Sequence, residues 1–420
     1  MSKKHIFLSL FLALALPISV SGCFSSKPEE TSVSSVSKSS NSSTKNNNSK
    51  NSSKDSQTTQ SSSLGQSSSS SVYSSIYSSS SSEYSSEYSS IYSSSSYSID
   101  SSSNVVLDDL QIHFLQLGNA NPGDCTLIKV GDTEVLIDAG SKKNSARTTI
   151  PYIKKHCTDG VLEYVIATHA HEDHIAAFVG DSTQKGVFES FECSMIIDWA
   201  KTKSTTQIYN SYLTLREAEV KAGATHYTAL ECYEQKNGAQ KSYDLGSGVT
   251  LNILYQKYYK ESTTNENDNS VCVLISQENN HFLFTGDLES SGEESLVASN
   301  KLPKCKVFKA GHHGSATSSS AKLLAVIQPE IVVIPCVAGT TGTQYYFPKQ
   351  ETIDTISLYT DKVYVPLMAT SSSSYSQLNG NIVVTSNLKG VSVNCSNNNT
   401  LFKDTDWFKT NRTLPSKWKN

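Results

Sequence analysis

The segment Thr168-His169-Ala170-His171-Glu172-Asp173-His174 is the most informative part of this chain. It sets three imidazoles and the carboxylate of Asp173 within six positions, although the whole chain has only ten histidines. The apolar run before it, residues 161–166, predicts a strand, and residues 175–178 after it predict the opening of a helix. Side chains of a loop at a strand's end can face two neighbouring pockets. Because imidazole with carboxylate suits zinc, or less commonly iron or manganese, the segment predicts a metal site.

The first 22 residues have the layout of an export signal. Lys3 and Lys4 precede an apolar run over residues 6–18, and small residues then lead to Cys23. This end resembles a bacterial lipoprotein lipobox, which implies cleavage before Cys23 and acylation of that residue. A plain signal peptide with an incidental cysteine is the alternative. We therefore expect an exported protein that is anchored by lipid at the extracytoplasmic face of a bacterial membrane.

Residues 23–104 are predicted to form a disordered tether. Serine dominates this segment, which contains short repeats such as residues 83–86 and 87–90. Such polarity cannot bury enough apolar surface to offset the entropy of ordering. Roughly eighty flexible residues give a reach of about 50 Å. A globular domain is then expected over residues 105–400, followed by a polar C-terminal tail over residues 401–420.

Charge and cysteine usage narrow the class of protein. The net charge of −4 is close to balance, so the overall charge of the chain does not indicate nucleic acid binding. Eight cysteines besides Cys23 lie singly, without C-x-x-C spacing. This favours buried free thiols over a disulfide framework, although an exported location permits bridges.

Hydrophobic patterning predicts an α/β domain in which two sheets pack face to face with helices outside. Strands are predicted over residues 111–117, 125–130, 134–137, 164–167, 194–198, 249–254, 270–276, 281–285, 305–309 and 331–334. Helices are predicted over residues 145–155, 207–222, 292–298, 320–326 and 350–359.

Four motifs resemble those of the metallo-β-lactamase fold and follow that family's order over roughly residues 110–390. They are Leu136-Ile137-Asp138-Ala139-Gly140, the H-x-H-x-D-H signature within 168–174, Phe284-Thr285-Gly286-Asp287, and Lys309-Ala310-Gly311-His312-His313-Gly314-Ser315. The resemblance implies an αββα sandwich. It also implies that Asp138 supports the metal loop and that Asp287 bridges two metals.

Within the superfamily, the chain looks most like the hydrolase domain of ComEC-type competence proteins and their free-standing relatives. The doublet His312-His313 and the Asn269-Ser270 strand before Asp287 carry this likeness. Some choline-phosphoesterases of bacterial surfaces share the layout. The chain departs from the relatives in three places: residues 118–124 replace a compact G-Q-G-D turn, Ala176-Ala177 replace glycines, and Phe347-Pro348 replaces a His-Pro pair. We expect no counterpart to the membrane channel of the competence proteins, since no segment after the export signal is long and apolar enough to cross a bilayer.

Two metal sites follow from these residues. The first would use His169, His171 and Asp287; the second would use Asp173, His174, Asp287 and one member of the doublet, for which we favour His313. We expect two ions, zinc first, with manganese or iron as alternatives. A zinc ion lowers the pKa of bound water from about 15.7 to about 7 and so supplies hydroxide at neutral pH. His312, the other member of the doublet, would contact substrate or donate a proton. The catalytic candidates are Asp173 and His312.

Ordinary structural roles compete with some of these assignments. Asp138 and Asp287 each lie in turn-like sequence and could serve as turn residues. Many family members supply a further histidine before the bridging aspartate. Here His226 is predicted to be solvated in a loop after a helix, and His281 should lie far away at a hairpin end.

Weaker candidates lie outside the four motifs. Lys201, Lys203 and Lys309 could face an anionic substrate, although isolated lysines are usually solvated. Ser315 and Thr317 precede a predicted helix and could hold a phosphate, but a serine N-cap explains them as well. The side chains of the tail that could dock on the domain are Trp407, Arg412 and Trp418.

The sequence therefore predicts a surface-tethered, metal-dependent hydrolase that cuts phosphodiester bonds. Its expected partners are an anionic phosphodiester substrate (DNA, a nucleotide or a cell-wall polymer) and the membrane through the N-terminal lipid, with no obligate protein partner inferred. A phosphocholine or teichoic-acid esterase and a non-catalytic, metal-containing binding lipoprotein are the alternatives. A β-lactamase ranks low, because true lactamases of this fold generally carry cysteine where Asp287 stands.

Overall fold

The computed structural model describes residues 108–340, 346–387 and 389–419. The predicted signal, Cys23 and the predicted tether lie outside the described residues. Within the described ranges, no helix combines the length and the apolar character that a bilayer span requires.

Eighteen strands and eight α-helices make up the described chain. The strands are β1 (Leu110–Phe114), β2 (Thr126–Val130), β3 (Thr133–Ile137), β4 (Val161–Ile166), β5 (Glu192–Asp198), β6 (Thr225–Thr228), β7 (Ser242–Gly246), β8 (Val249–Leu254), β9 (Cys272–Gln277), β10 (Asn280–Phe284), β11 (Val307–Lys309), β12 (Ile331–Val333), β13 (Val337–Ala338), β14 (Val363–Tyr364), β15 (Leu367–Ala369), β16 (Tyr375–Gln377), β17 (Ile382–Asn387) and β18 (Gly390–Cys395). The helices are α1 (Ala146–His156), α2 (Glu172–Val179), α3 (Gln207–Ala222), α4 (Ala229–Glu234), α5 (Ser290–Ser299), α6 (Ala321–Ile327), α7 (Gln350–Ser357) and α8 (Asp406–Asn411).

Two large sheets repeat one pattern, in which an antiparallel meander continues into parallel strands. The first sheet has the order β18-β17-β1-β2-β3-β4-β5-β6, with β1 to β3 antiparallel and β3 to β6 parallel. The second has the order β14-β12-β11-β10-β9-β8-β7, with β7 to β10 antiparallel and the remaining strands parallel to β10. A small third sheet joins β13, β15 and β16. Because parallel strands end on the same edge, each large sheet brings several loops together there.

The two large sheets pack face to face, and both of their faces are buried. Phe114 of β1 stacks on Phe284 of β10 with ring centroids 6.1 Å apart, within one core cluster shared by the sheets. Leu136 and Leu283, whose side chains point the opposite way, belong to two separate outer clusters. Helices α1 to α3 contribute to the first outer cluster and α5 to α8 to the second. This burial on both faces explains the near-continuous apolar strands, and the expected four-layer sandwich is confirmed.

Most predicted elements are present, and the helix over residues 207–222 has the predicted bounds. Thr206 accepts a hydrogen bond from the N–H of Tyr209 and so caps its start, while Gly223 follows its end. Helix α6 is capped by Ser320, not by Ser315 or Thr317. The eight described cysteines are all free thiols, as their single spacing predicts.

Most of the strands that were not predicted are short or lie at the edge of a sheet; the exception is β17, which has six residues and lies second from the edge. Strands β13 and β14 have two residues each, and the exposed, polar β18 alternates serine and asparagine with valine. Their strand character depends on the neighbours with which they pair, which a local pattern does not contain. The C-terminal segment also packs more closely than a polar tail would, because Phe402, Phe408 and Trp418 are buried in the second outer cluster.

Glu293 on α5 is a buried carboxyl group that supports the start of α6. It accepts hydrogen bonds from the N–H groups of Ser319 and Ser320, each at 2.7 Å. Burial raises the pKa of Glu293 from 4.5 to about 7. The native state therefore holds the proton more tightly than the unfolded chain, so stability is lost as the pH rises from 4.5 through about 7.

We predict that Glu293→Gln removes this titration. We compare the unfolding free energy of the variant with that of the wild type at each pH. This difference should shift in favour of the variant by about 3 kcal/mol as the pH rises from 4.5 to 8, because each pKa unit corresponds to about 1.4 kcal/mol. Urea unfolding across this pH range measures the difference. The exposed neighbour provides the control, and Glu294→Gln should run parallel to the wild type. Parallel curves for Glu293→Gln as well would contradict the prediction.

Candidate metal centre

Four of the strand-end loops converge where the two sheets meet. Asp138 follows β3, the signature segment follows β4, Asp287 follows β10 and the histidine doublet follows β11. Each pair of strands, β3 with β4 and β10 with β11, lies where its sheet changes from antiparallel to parallel. The fold itself therefore gathers the motifs that are far apart in the sequence.

Backbone hydrogen bonds fasten the signature loop to the loop after β3. The N–H of Ala139 donates to the carbonyl of His174 at 2.8 Å, and the N–H of Asp124 donates to that of Asp173 at 3.2 Å. Gly140 lies against this loop so closely that an added Cβ would be 1.5 Å from the carbonyl oxygen of Asp173. Only glycine allows the two backbones to approach in this way.

Asp138 orients His174 through a fully buried carboxylate. Its oxygens accept hydrogen bonds from the N–H of Thr168 at 2.7 Å, from the hydroxyl of Thr168 at 2.8 Å and from Nδ1 of His174 at 2.7 Å. Since Nδ1 donates to Asp138, the other ring nitrogen, Nε2, keeps its lone pair for the pocket. Asp138 has a positive φ of 58°, a strained conformation that the surrounding bonds hold in place.

The two histidines of the doublet have different environments. His313 is buried and donates from Nδ1 to the carbonyl of Pro335 at 3.0 Å, which leaves its Nε2 facing Asp173 at 3.4 Å. His312 lies at the rim with 21% of its side chain exposed, and its Nε2 is 3.9 Å from Asp287. Both have positive φ, 48° and 53°. This left-handed pair turns neighbouring side chains to different parts of the site.

One group of described side chains fits a metal ion. Donor atoms of Asp173, His174, Asp287 and His313 all lie within 4.8 Å of one another. Asp287 Oδ2 is 3.1 Å from Nε2 of His174 and 3.3 Å from Nε2 of His313. These separations are close to the edge of about 3.3 Å that tetrahedral zinc with bonds near 2.0 Å requires. Both Nε2 atoms are buried and make no hydrogen bond of acceptable geometry to the described residues.

The group expected for the other ion is only partly assembled. Nε2 of His169 and Nδ1 of His171 are 3.0 Å apart, so this pair could share an ion. Among the described residues, however, these two do not form a group with Asp287 whose donors all lie within 4.8 Å. The first ligand set stays a prediction.

A buried ion pair beside the centre was not recognised from the sequence. Lys309, with 3% of its side chain exposed, lies 2.5 Å from Asp124 and donates to the carbonyl of Gly286 at 2.9 Å. The expectation that Lys309 is solvated was therefore wrong. Asp124 ends the 118–124 turn, and its acidic side chain at that position was the available signal.

The buried charges perturb one another strongly. Burial opposes charge on an imidazole, yet Asp287 and Asp138 raise the pKa of His174 well above its usual value. Asp287 and Asp124 likewise raise the pKa of His313 against burial. Despite burial, His174 and His313 hold the pKa of Asp287 well below its usual value. Because histidine must be neutral to bind metal, binding at this group would release protons.

His226 does not lie in a solvated loop, contrary to the prediction. It is part of β6, and its Nε2 is 2.9 Å from Asp198 at the end of β5. Arg216 of α3 reaches the same carboxylate at 2.6 Å. His281 lies at the hairpin end of β10, near Ser276, as expected. Neither histidine forms part of a candidate metal group among the described residues.

A family profile described as the metallo-beta-lactamase superfamily matches residues 118–180 and 263–338. These ranges contain the loops that converge at the candidate centre. The domain has the metallo-β-lactamase fold. The expected resemblance to this superfamily is thereby confirmed.

The chain is also similar to named relatives and to a solved structure. The chain is 30% identical over 257 residues to "Recombination protein 2" of Haemophilus influenzae, covering 60% of this chain and 27% of that protein. It is 25% identical over 204 residues to "ComE operon protein 3" of Bacillus subtilis, covering 48% and 23%. The chain thus spans about a quarter of the length of these relatives. The solved metallo-beta-lactamase fold protein YhfI from Bacillus subtilis has a TM-score of 0.38 and 11% identity, covering 63% of this chain and 99% of that chain.

We predict that Asp138→Asn weakens metal binding by about 10- to 100-fold, the usual effect of removing a partner that orients a histidine ligand. The amide cannot accept all three of the hydrogen bonds made to Asp138, so the ring of His174 loses its fixed orientation. Zinc titration by calorimetry measures the change. Asp132→Asn, in the exposed β2–β3 turn, is the control and should bind like the wild type. Unchanged affinity in Asp138→Asn would show that the carboxylate does not orient the ligand.

Proposed function

We propose that the metallo-β-lactamase domain is a divalent-metal-dependent phosphodiesterase that acts on nucleic acid at a bacterial surface. The observation that carries the proposal is the group of Asp173, His174, Asp287 and His313, whose two buried Nε2 atoms lack hydrogen bonds to the described residues. Two imidazoles and two carboxylates match the ligand preferences of zinc, with manganese or iron as alternatives. His169 and His171 would hold a second ion with Asp287.

Bound divalent ions would supply Lewis acidity toward a phosphoryl oxygen and activation of a water molecule. The protein's own groups would hold the ions, balance the local charge and accept a proton. Asp287 would hold both ions by a shared carboxylate, and Lys309, 3.8 Å from its Oδ1, would limit the local excess of negative charge. Asp173, whose pKa His313 and His174 lower despite burial, stays ionised as a ligand and proton acceptor.

His312 is the proposed proton carrier between the site and solvent. Its Nδ1 is 3.1 Å from the hydroxyl of Thr317, which fixes the ring, while Nε2 faces Asp287 from the rim. Burial lowers the pKa of His312, so the ring is neutral at neutral pH and can accept a proton at Nε2. Its partial exposure lets that proton pass to water.

Nucleic acid is the proposed substrate because one of the relatives bears the name of a recombination protein. The domain spans only about a quarter of that protein, so its complete role is not carried over. Anchoring through a lipid on Cys23 and export to the cell surface remain part of the proposal, and it includes no obligate protein partner.

We predict that the chain from Cys23 onward, loaded with zinc or manganese, hydrolyses bis-(p-nitrophenyl) phosphate. His313→Ala and His171→Ala should each lower kcat by about 100-fold or more, because each removes a metal ligand. His281→Ala is the control, since that ring contacts Ser276 at the hairpin end and should leave the rate unchanged. Metal content of each variant is measured in parallel.

The outcomes separate the candidate functions. Equal rates for the wild type and His171→Ala would remove the two-ion proposal. Bound metal without turnover of any phosphodiester, including oligonucleotides, would favour a binding lipoprotein. Preferential release of phosphocholine or cleavage of a wall polymer would favour the esterase.

A further inference from the structure

A second concave site lies beside the candidate metal centre. It is a cavity of about 520 Å³ formed by the end of β5, the segment that leads into α3, the side of α3, and residues 262, 263 and 269. This volume is within the range of small-molecule and cofactor sites. None of the metal-centre residues lines it, so its role is not explained by the chemistry proposed above.

Glu266 connects the cavity wall to the signature loop. Its Oε1 accepts a hydrogen bond at 3.1 Å from the N–H of Ala170, which stands between His169 and His171. Its Oε2 accepts from the hydroxyl of Thr202 at 2.8 Å and from the side-chain amide of Asn269 at 3.0 Å, and both of these residues line the cavity. The cavity is therefore attached to the metal loop through one side chain.

The cavity carries an excess of positive charge. Among the described residues that line it, the carboxylate is that of Asp198, which is already paired with Arg216 at 2.6 Å and lies 2.9 Å from His226. Two further lysines line it, Lys201 and Lys203, and both are exposed. Lys201 reaches the backbone carbonyl of Lys260, and no carboxylate of the described residues pairs with either lysine. Neither ammonium group is neutralised by a carboxylate of the described residues, so both can attract an anion.

An aromatic side chain stands next to these cations. Tyr209 lines the cavity, is only partly buried, and contacts the ring of Trp199 with centroids 6.1 Å apart. Basic side chains beside an aromatic face are the combination that binds single-stranded nucleic acid, through phosphate and base respectively. A glycerol-phosphate polymer offers phosphate but no ring to stack.

We propose that this cavity binds the phosphate and base of a nucleotide adjacent to the scissile phosphodiester, with Lys201 and Lys203 on the phosphate and Tyr209 against the base. The assignment rests on the proposed phosphodiesterase function. It makes the cavity a specificity site, which holds a polynucleotide in register with the metal centre and takes no part in bond cleavage.

The test compares Lys201→Ala/Lys203→Ala with the wild type on two substrates. KM for a single-stranded oligothymidylate should rise about tenfold or more, as expected when charge-assisted hydrogen bonds to phosphate are removed. kcat and KM for bis-(p-nitrophenyl) phosphate, which has one phosphate and no neighbour, should stay within about twofold. Lys154→Ala/Lys155→Ala, on α1 and away from the cavity lining, is the matched control and should resemble the wild type in both assays.

A binding measurement keeps the two proposals distinguishable. Fluorescence anisotropy of labelled oligothymidylate with EDTA-treated protein should show weaker binding by the double variant. The slope of log Kd against log salt should fall by about 0.7 for each phosphate that the variant no longer neutralises. If the wild type shows no turnover but this binding difference is present, the proposed phosphodiesterase function is overturned and the assignment of the cavity as a nucleotide-binding site is supported.

Two results would overturn the cavity assignment. One is turnover in the wild type with KM and Kd unchanged in the double variant. The other is competition by poly(glycerol phosphate) as effective as that by oligothymidylate, which would show that the site does not select nucleic acid. Melting temperatures of all variants establish that each chain is folded.

Discussion

The hydrogen bonds to the carboxylate of Asp138 are the constraint on which the metal centre depends. A buried carboxylate is costly unless each oxygen is satisfied, and here Thr168 and His174 supply three donors. These bonds tie the end of β3 to the loop after β4 and also set which ring nitrogen of His174 faces the pocket. Position and chemistry of the signature loop are therefore fixed by one side chain that would not itself touch the metal.

The same region concentrates more negative charge than a protein interior tolerates. Asp124, Asp138 and Asp287 are buried, and among the described residues the lysine beside them is Lys309. The raised pKa values of His174 and His313 show how strongly the pocket favours added positive charge. Divalent ions would satisfy that demand while leaving the imidazoles neutral. The ion pair of Asp124 and Lys309 thus belongs to the electrostatics of the centre.

How much the sequence predicts depends on whether the signal is local. The apolar strands and helix α3 were predicted because their sequence patterns and caps lie within or next to the segment itself. The choice of His313 over His312 agrees with the grouping of described side chains, but nothing local distinguishes the two histidines. The expectation that Lys309 is solvated was wrong because the partner of this buried lysine, Asp124, lies 185 positions earlier in the chain. Strands of two residues, such as β13, exist only through their partners.

The region between the signature and Asp287 shows how this chain differs from relatives that place another histidine there. His226 is held on Asp198 at 2.9 Å, and Arg216 shares that carboxylate, so taking His226 to a metal would leave a buried charge less well compensated. The end of β5 is consequently committed to an ion-pair network. That network neutralises Asp198. Lys201 and Lys203, which follow Asp198 in the chain, are therefore not needed to balance its charge and can bind an anionic ligand. Among the described residues, the pairing of His226 with Asp198 and the presence of the basic cavity are then two consequences of the same local arrangement.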